Sequence, residues 1–208
     1  MVLTRNSTPP APEQAAPQPG SDWDTVRMRL ADPDAATRRW AARDAAMMPE
    51  ASALLAERLR VEGEPSVRKV ILTSLTRIGD STAVASLVQC LRCEDDARLR
   101  GDAIEAIKAL PGAVSDIVPE LLRDEDSDVR IQAISMLEVV QDPQVEAWLL
   151  EIIEHDPVLN VCAAALNLLN EIGTGAAFAA LTRLQARYPD EPYIRFATDL
   201  AFRRISGG

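Results

Sequence analysis

Cys90 and Cys93 form a C-x-x-C pair, the spacing of a dithiol or of half a zinc site. Zinc needs four ligands, and the other cysteine, Cys162, is remote in sequence. A redox pair sits at a helix N-terminus, where the dipole lowers the thiol pKa, whereas Cys90 falls near the end of a helical stretch. The pair therefore reads as incidental. Cys162 could act as a relay or attachment thiol, yet Val161 and the run Ala163-Ala164-Ala165 around it suit a small buried residue in a tight helix contact. His155 is the single histidine and is expected at an exposed junction. No G-x-S-x-G, Walker loop, dinucleotide fingerprint or Ser/His/Asp set is present. The many acids fall at helix starts, so no catalytic residue, metal or cofactor is assigned.

The elements that must carry these residues repeat. Asp124 to Glu154 reads as two amphipathic helices broken at Gln141-Asp142-Pro143. Val129, Ala133, Ile134, Leu137 and Val140 form one helical stripe, and Val145, Trp148, Leu149 and Ile152 the other. A lone hairpin cannot bury both stripes and needs neighbours of its own kind. The chain supplies them in a register pinned by Arg38, Arg68, Arg100, Arg130 and Arg195, with Cys162 in the fifth place. The spacings are 30, 32, 30, 32 and 33 residues (38 to 68, 68 to 100, 100 to 130, 130 to 162, 162 to 195). Apolar or small residues recur just before each position, and again three, seven and ten after it. Leu75, Ile107 and Leu137 share one such column. A fixed period in this range is the signature of a solenoid. At about 10 Å per helix layer, Cys162 lies roughly 20 Å from the C-x-x-C pair.

Acids precede the arginines in two columns. Asp34, Glu64, Asp96, Asp126 and Glu191 lie four before, and Asp32, Glu62, Glu94, Asp124 and Asp156 six before. At helix starts they cap free N–H groups and oppose the dipole. Stacking would also bring each arginine near an acid of its own or the adjacent copy, so Arg38, Arg68, Arg100, Arg130 and Arg195 are expected to form a structural ladder.

The motif D-x-D-x-x-V-R-x-x-A, seen at Asp124, Asp126, Val129, Arg130 and Ala133, resembles the HEAT repeat, most closely its short form named after phycobilisome lyases. The resemblance covers roughly residues 22 to 205. It implies an all-α, right-handed α-α superhelix of about five hairpins with capping helices at both ends. That family includes scaffolds, bilin lyases and iron enzymes, so fold leaves function open. Its two-iron hydroxylases use repeated His-Glu pairs, which this chain lacks. Bilin attachment is the functional reading the resemblance offers for Cys162.

Aromatics are 4 % of residues and hydrophobics 47 %, which suits closely stacked aliphatic helices. A net charge of −10 speaks against nucleic acid as the main partner. No stretch of 18 apolar residues could span a membrane. Residues 1–20 are rich in Pro, Ala, Gln and Ser and lack the apolar region of a secretory signal. They are expected to be a disordered tail before one repeat domain, 21–206, in a cytoplasmic protein. A helix over Ser21–Ala31 should cap the N-terminal end, and one over Pro192–Ile205 the C-terminal end. Copies one to five run from Asp32, Glu62, Cys93, Asp124 and His155, with further turns at Pro49, Gly79-Asp80, Pro111-Gly112 and Gly173-Thr174-Gly175.

The second helices of HEAT-like repeats usually line the concave face. There Asp116, Glu120, Glu146 and Glu151, with Glu154, make the middle of the groove acidic, while Glu57, Arg58, Arg60, Arg183 and Arg187 make its ends mixed. The expected partner is a basic segment of another protein docking across copies three and four. A merely solvated face is the competing reading. Trp40 sits in a variable column and is either a binding hot spot or a cover for the N-terminal helix, while Trp148 is expected in the core. The chain itself is expected to be a monomer or weak dimer. A bilin lyase or chromophore-handling chaperone is the alternative function.

Overall fold

The computed structural model describes residues 23–48, 50–93 and 96–207. The expectations for residues 1–20, for Pro49 and for Glu94 lie outside them. Twelve α-helices and no strand occur among the described residues. They are α1 (Trp23–Leu30), α2 (Ala35–Ala45), α3 (Ala51–Val61), α4 (Pro65–Ile78), α5 (Ser81–Leu91), α6 (Ala97–Lys108), α7 (Pro111–Leu121), α8 (Ser127–Met136), α9 (Val145–His155), α10 (Leu159–Ile172), α11 (Phe178–Arg187) and α12 (Pro192–Ser206).

The helices stack as an all-α solenoid in two layers. The first helices of the copies, α2, α4, α6, α8 and α10, pack in succession and end on α12. Each second helix, beginning with α1, packs on the first helix that follows it. The column before the arginine (Val67, Leu99, Val129, Val161, Ile194) is buried, as is the column three after it (Ala41, Ile71, Ala103, Ala133, Ala165, Thr198). Alanine in that second column lets the backbones approach. Leu75, Ile107 and Leu137, seven after the arginine, face the core. Each fully buried leucine or isoleucine contributes about 1.5–3 kcal/mol.

Both acidic columns are built into the helix starts. Asp34, Glu64, Asp96 and Asp126 are the N-caps of α2, α4, α6 and α8, each accepting a backbone N–H of the first turn. Two residues upstream, Asp32, Glu62, Asp124 and Asp156 accept the N–H of Asp34, Glu64, Asp126 and Val158. Gly79 closes α4 in the left-handed conformation, φ 64°, which glycine adopts without Cβ strain.

Three local expectations need revision. Pro111 is the first residue of α7 rather than part of the turn, because a helix tolerates proline where no N–H bond is due. The break falls just before it, at Ala109 and Leu110. Trp148 is half-buried rather than core. The column ten after the arginine is only half-buried at Met48, Ile78, Leu110 and Ile205, and exposed at Ile172. The last helix, α12, ends the stack as expected and leaves Tyr193, Phe196 and Leu200 in water.

Candidate partner-binding site

Arg38 shows how a ladder position is built. Its guanidinium is buried, donates to both carboxylate oxygens of Glu62 at 2.9 and 3.0 Å, and bonds the Asp32 and Pro33 carbonyls at 2.8 Å each. Arg58 adds a second cation to Glu62. Burial alone would raise the Glu62 pKa, but Arg38, the Glu64 N–H and Arg58 together hold it down at about 2. Arg130 repeats the geometry on Asp156 at 2.7 and 3.1 Å, with the Asp124 and Glu125 carbonyls as further acceptors. Arg68 pairs with Asp96 and bonds the Glu62 carbonyl. Arg100 bonds the Cys93 carbonyl, and Arg195 the Pro189 carbonyl.

Cys162 occupies the arginine place in copy five and is buried. Its thiol donates to the Asp156 carbonyl at 3.4 Å. Arg187 reaches in from α11, donating to the Ile153 and Glu154 carbonyls and to the Cys162 sulfur, each at 2.9 Å. Burial pushes the Cys162 thiol pKa up, against the pull of Arg187. Cys90 is pushed up to about 11 by burial and by neighbouring Cys93, and its thiol donates to the Ser86 carbonyl. Neither buried cysteine is poised as a nucleophile. The His155 side chain is 75 % exposed. Among the described residues no group of three or more His, Cys, Asp or Glu is placed to hold a metal ion, and no helix is long and apolar enough to cross a membrane.

The second-helix layer opens in its middle. Whereas α3 packs on α5 and α9 on α11, a cleft of about 640 Å³ separates α5 from α7, with Val84, Val88 and Ile117 on its walls and Asp116 and Glu120 at its side. It continues into a basin of about 850 Å³ along the ends of these helices, where Asp116, Glu120, Asp124, Glu125 and Asp126 face Arg92 and Arg123. Five carboxylates against two arginines leave the basin acidic. A further cleft of about 440 Å³ lies between α7 and α9, with Trp148 in its wall. Pro119 lines both the basin and this cleft.

Of the residues expected to bind a partner, Asp116 and Glu120 share the basin and are exposed. Neither has an ion-pair partner among the described residues. Glu151 lies in the α7–α9 cleft and pairs with Arg123 at 3.2 Å. Glu146 is not with them. Its carboxylate accepts from the Thr174 N–H at 2.6 Å and from the Thr174 hydroxyl at 3.0 Å, tying α9 to the turn before α11. Trp40 is 43 % exposed on α2, in the other helix layer, with the Arg43 guanidinium 5.4 Å from its ring centre. Trp148, expected in the core, instead forms part of the wall of the α7–α9 cleft.

The family model for HEAT repeats matches residues 24–108 and 114–201. No curated protein matches the chain. Among solved structures, the chain is similar to the crystal structure of an engineered protein, at 18 % identity over 88 % of this chain and 96 % of that one, with a TM-score of 0.42. It is also similar to the complex of CpcE and CpcF of phycocyanin lyase from Nostoc sp. PCC7120, at 18 % identity over 92 % and 98 % of the two chains, with a TM-score of 0.38.

Proposed function

The chain belongs to the HEAT-repeat family, and from that premise we propose that it is a non-enzymatic interaction module that holds a basic segment of another protein. The observation carrying this reading is the acidic basin that continues the α5–α7 cleft, where Asp116 and Glu120 stand exposed beside apolar walls. Carboxylates at the rim steer a cationic segment and set its register, and the apolar walls supply contact area. Glu151 extends the acidic track toward α9. Trp40 and Glu146 take no part. The test is affinity purification with mass spectrometry, comparing the native chain with the charge reversals Asp116→Lys and Glu120→Lys. Captured proteins should crosslink at α5 and α7 and be lost in the reversed variant; unchanged capture would refute the site.

A second reading, chromophore handling, draws on a cleft of about 570 Å³ lined by Cys90, Cys93, Arg60, Arg68 and Arg92. Arginines beside thiols would suit a carboxylate-bearing tetrapyrrole, although the raised Cys90 pKa disfavours attack by that thiol. Titration with a bilin, followed by visible absorption, distinguishes the two readings.

A further inference from the structure

Most of the large apolar side chains left in water lie at the two ends of the solenoid, with Val61 and Ile172 exposed further in. Met28, Trp40 and Met47 are exposed at one end, and Tyr193, Phe196 and Leu200 at the other. From Glu62 to Glu154 no large apolar side chain is exposed among the described residues. Phe196 is 67 % exposed and Met47 70 %.

Contacts between successive first helices define which positions meet. The residue one after the ladder arginine meets the residue two before the next: Arg39 donates to the Ser66 hydroxyl at 2.9 Å. The residue five after meets the one nine after the next: Arg77 donates to the Arg43 carbonyl at 3.3 Å. In α12 the positions one and five after Arg195 are Phe196 and Leu200, so both lie on the side that another first helix would cover. The matching positions, two before and nine after Arg38, are Ala36 in α2 and Met47 in the turn that follows it. Trp40 is likewise exposed, on α2.

The ladder is incomplete at the same two ends. Arg38, Arg68 and Arg130 each hold an acid that opens the following copy. Arg195 is exposed, and among the described residues it has no carboxylate partner. At the other end Asp32 and Asp34 open copy one, and among the described residues neither is held by a ladder arginine of an earlier copy. The helices complement each other too, since among the described residues α12 has no second helix following it and α1 no first helix preceding it.

We propose that these ends are two halves of one interface, and that the partner is a second copy of this chain stacked head to tail. Leu200 then lies on Met47 of the next copy, Phe196 on its Ala36, and Arg195 beside its Asp32 and Asp34. Apolar contact supplies the affinity, and the partly exposed ion pair sets the register. Such a heterologous contact grows into a chain of copies unless its rotation closes a ring.

Sedimentation velocity of the full chain over a concentration series tests this. Self-association should be weakened at least about tenfold by Phe196→Glu and equally by Met47→Glu, as for an interface hot spot. Both sites are exposed, and far-UV circular dichroism checks that the variants stay helical. Mixing the two variants should restore a pair that stops at two copies, because each retains one intact end. Arg195→Asp should weaken association, and Asp32→Arg in the same chain should recover it. A chain that stays monomeric at every concentration overturns the proposal. So does self-association that only one of the two glutamate variants removes, which would mean that like ends pair.

Discussion

In copy four the ladder place holds Arg130, and in copy five it holds Cys162. Both sites satisfy carbonyls at the junction of a second helix with the next first helix, by different routes. Arg130 does so from within its own copy and also grips Asp156, with both partners buried. In copy five a short thiol takes the nearest carbonyl, and the guanidinium arrives from α11, on the solvent side. What the junction requires is a donor for its acceptors, not an arginine at one sequence position. The cost of losing that donor depends on whether a buried carboxylate is stranded with it.

The largest effect should therefore come from Arg130→Ala. It leaves Asp156 buried without its cation and should cost about 3–5 kcal/mol, read from urea denaturation. Next comes Glu62→Gln, which removes the carboxylate shared by Arg38 and Arg58. The folded pKa is about 2 against an ordinary value of 4.5, so its contribution of up to about 3 kcal/mol is fully present above pH 4.5. It is lost as pH falls toward 2. Thermal melts of the native chain and the variant should thus differ most near neutral pH and converge in acid. The smallest effect should be that of Arg187→Ala, about 1 kcal/mol, because the freed carbonyls at that partly exposed edge can turn to water. A loss there as large as for Arg130→Ala would show that the two junctions are equivalent after all.

Some of this was legible in the chain. The arginine register announced the repeats, and the two acid columns announced the caps and the ladder, since each rests on spacing along one or two adjacent helices. That Asp116 and Glu120 share one basin was legible because they lie one turn apart on a single helix. Glu146 lies on α9 rather than α7, and its carboxylate is engaged by Thr174, from the copy that follows. Trp148 lies on an apolar stripe that reads as core, and only the separation of α7 from α9 places it on a cleft wall.

Periodicity by itself determined the helices, their pairing and the buried columns, because a side chain's face on a helix follows from its position in the turn. Tertiary structure alone decided which second helices part to leave clefts, which carboxylates keep their charge for a partner, and which apolar faces stay uncovered at the ends. Those outcomes depend on distances between copies, and a repeat that looks the same in sequence can meet its neighbour closely in one place and stand away from it in another.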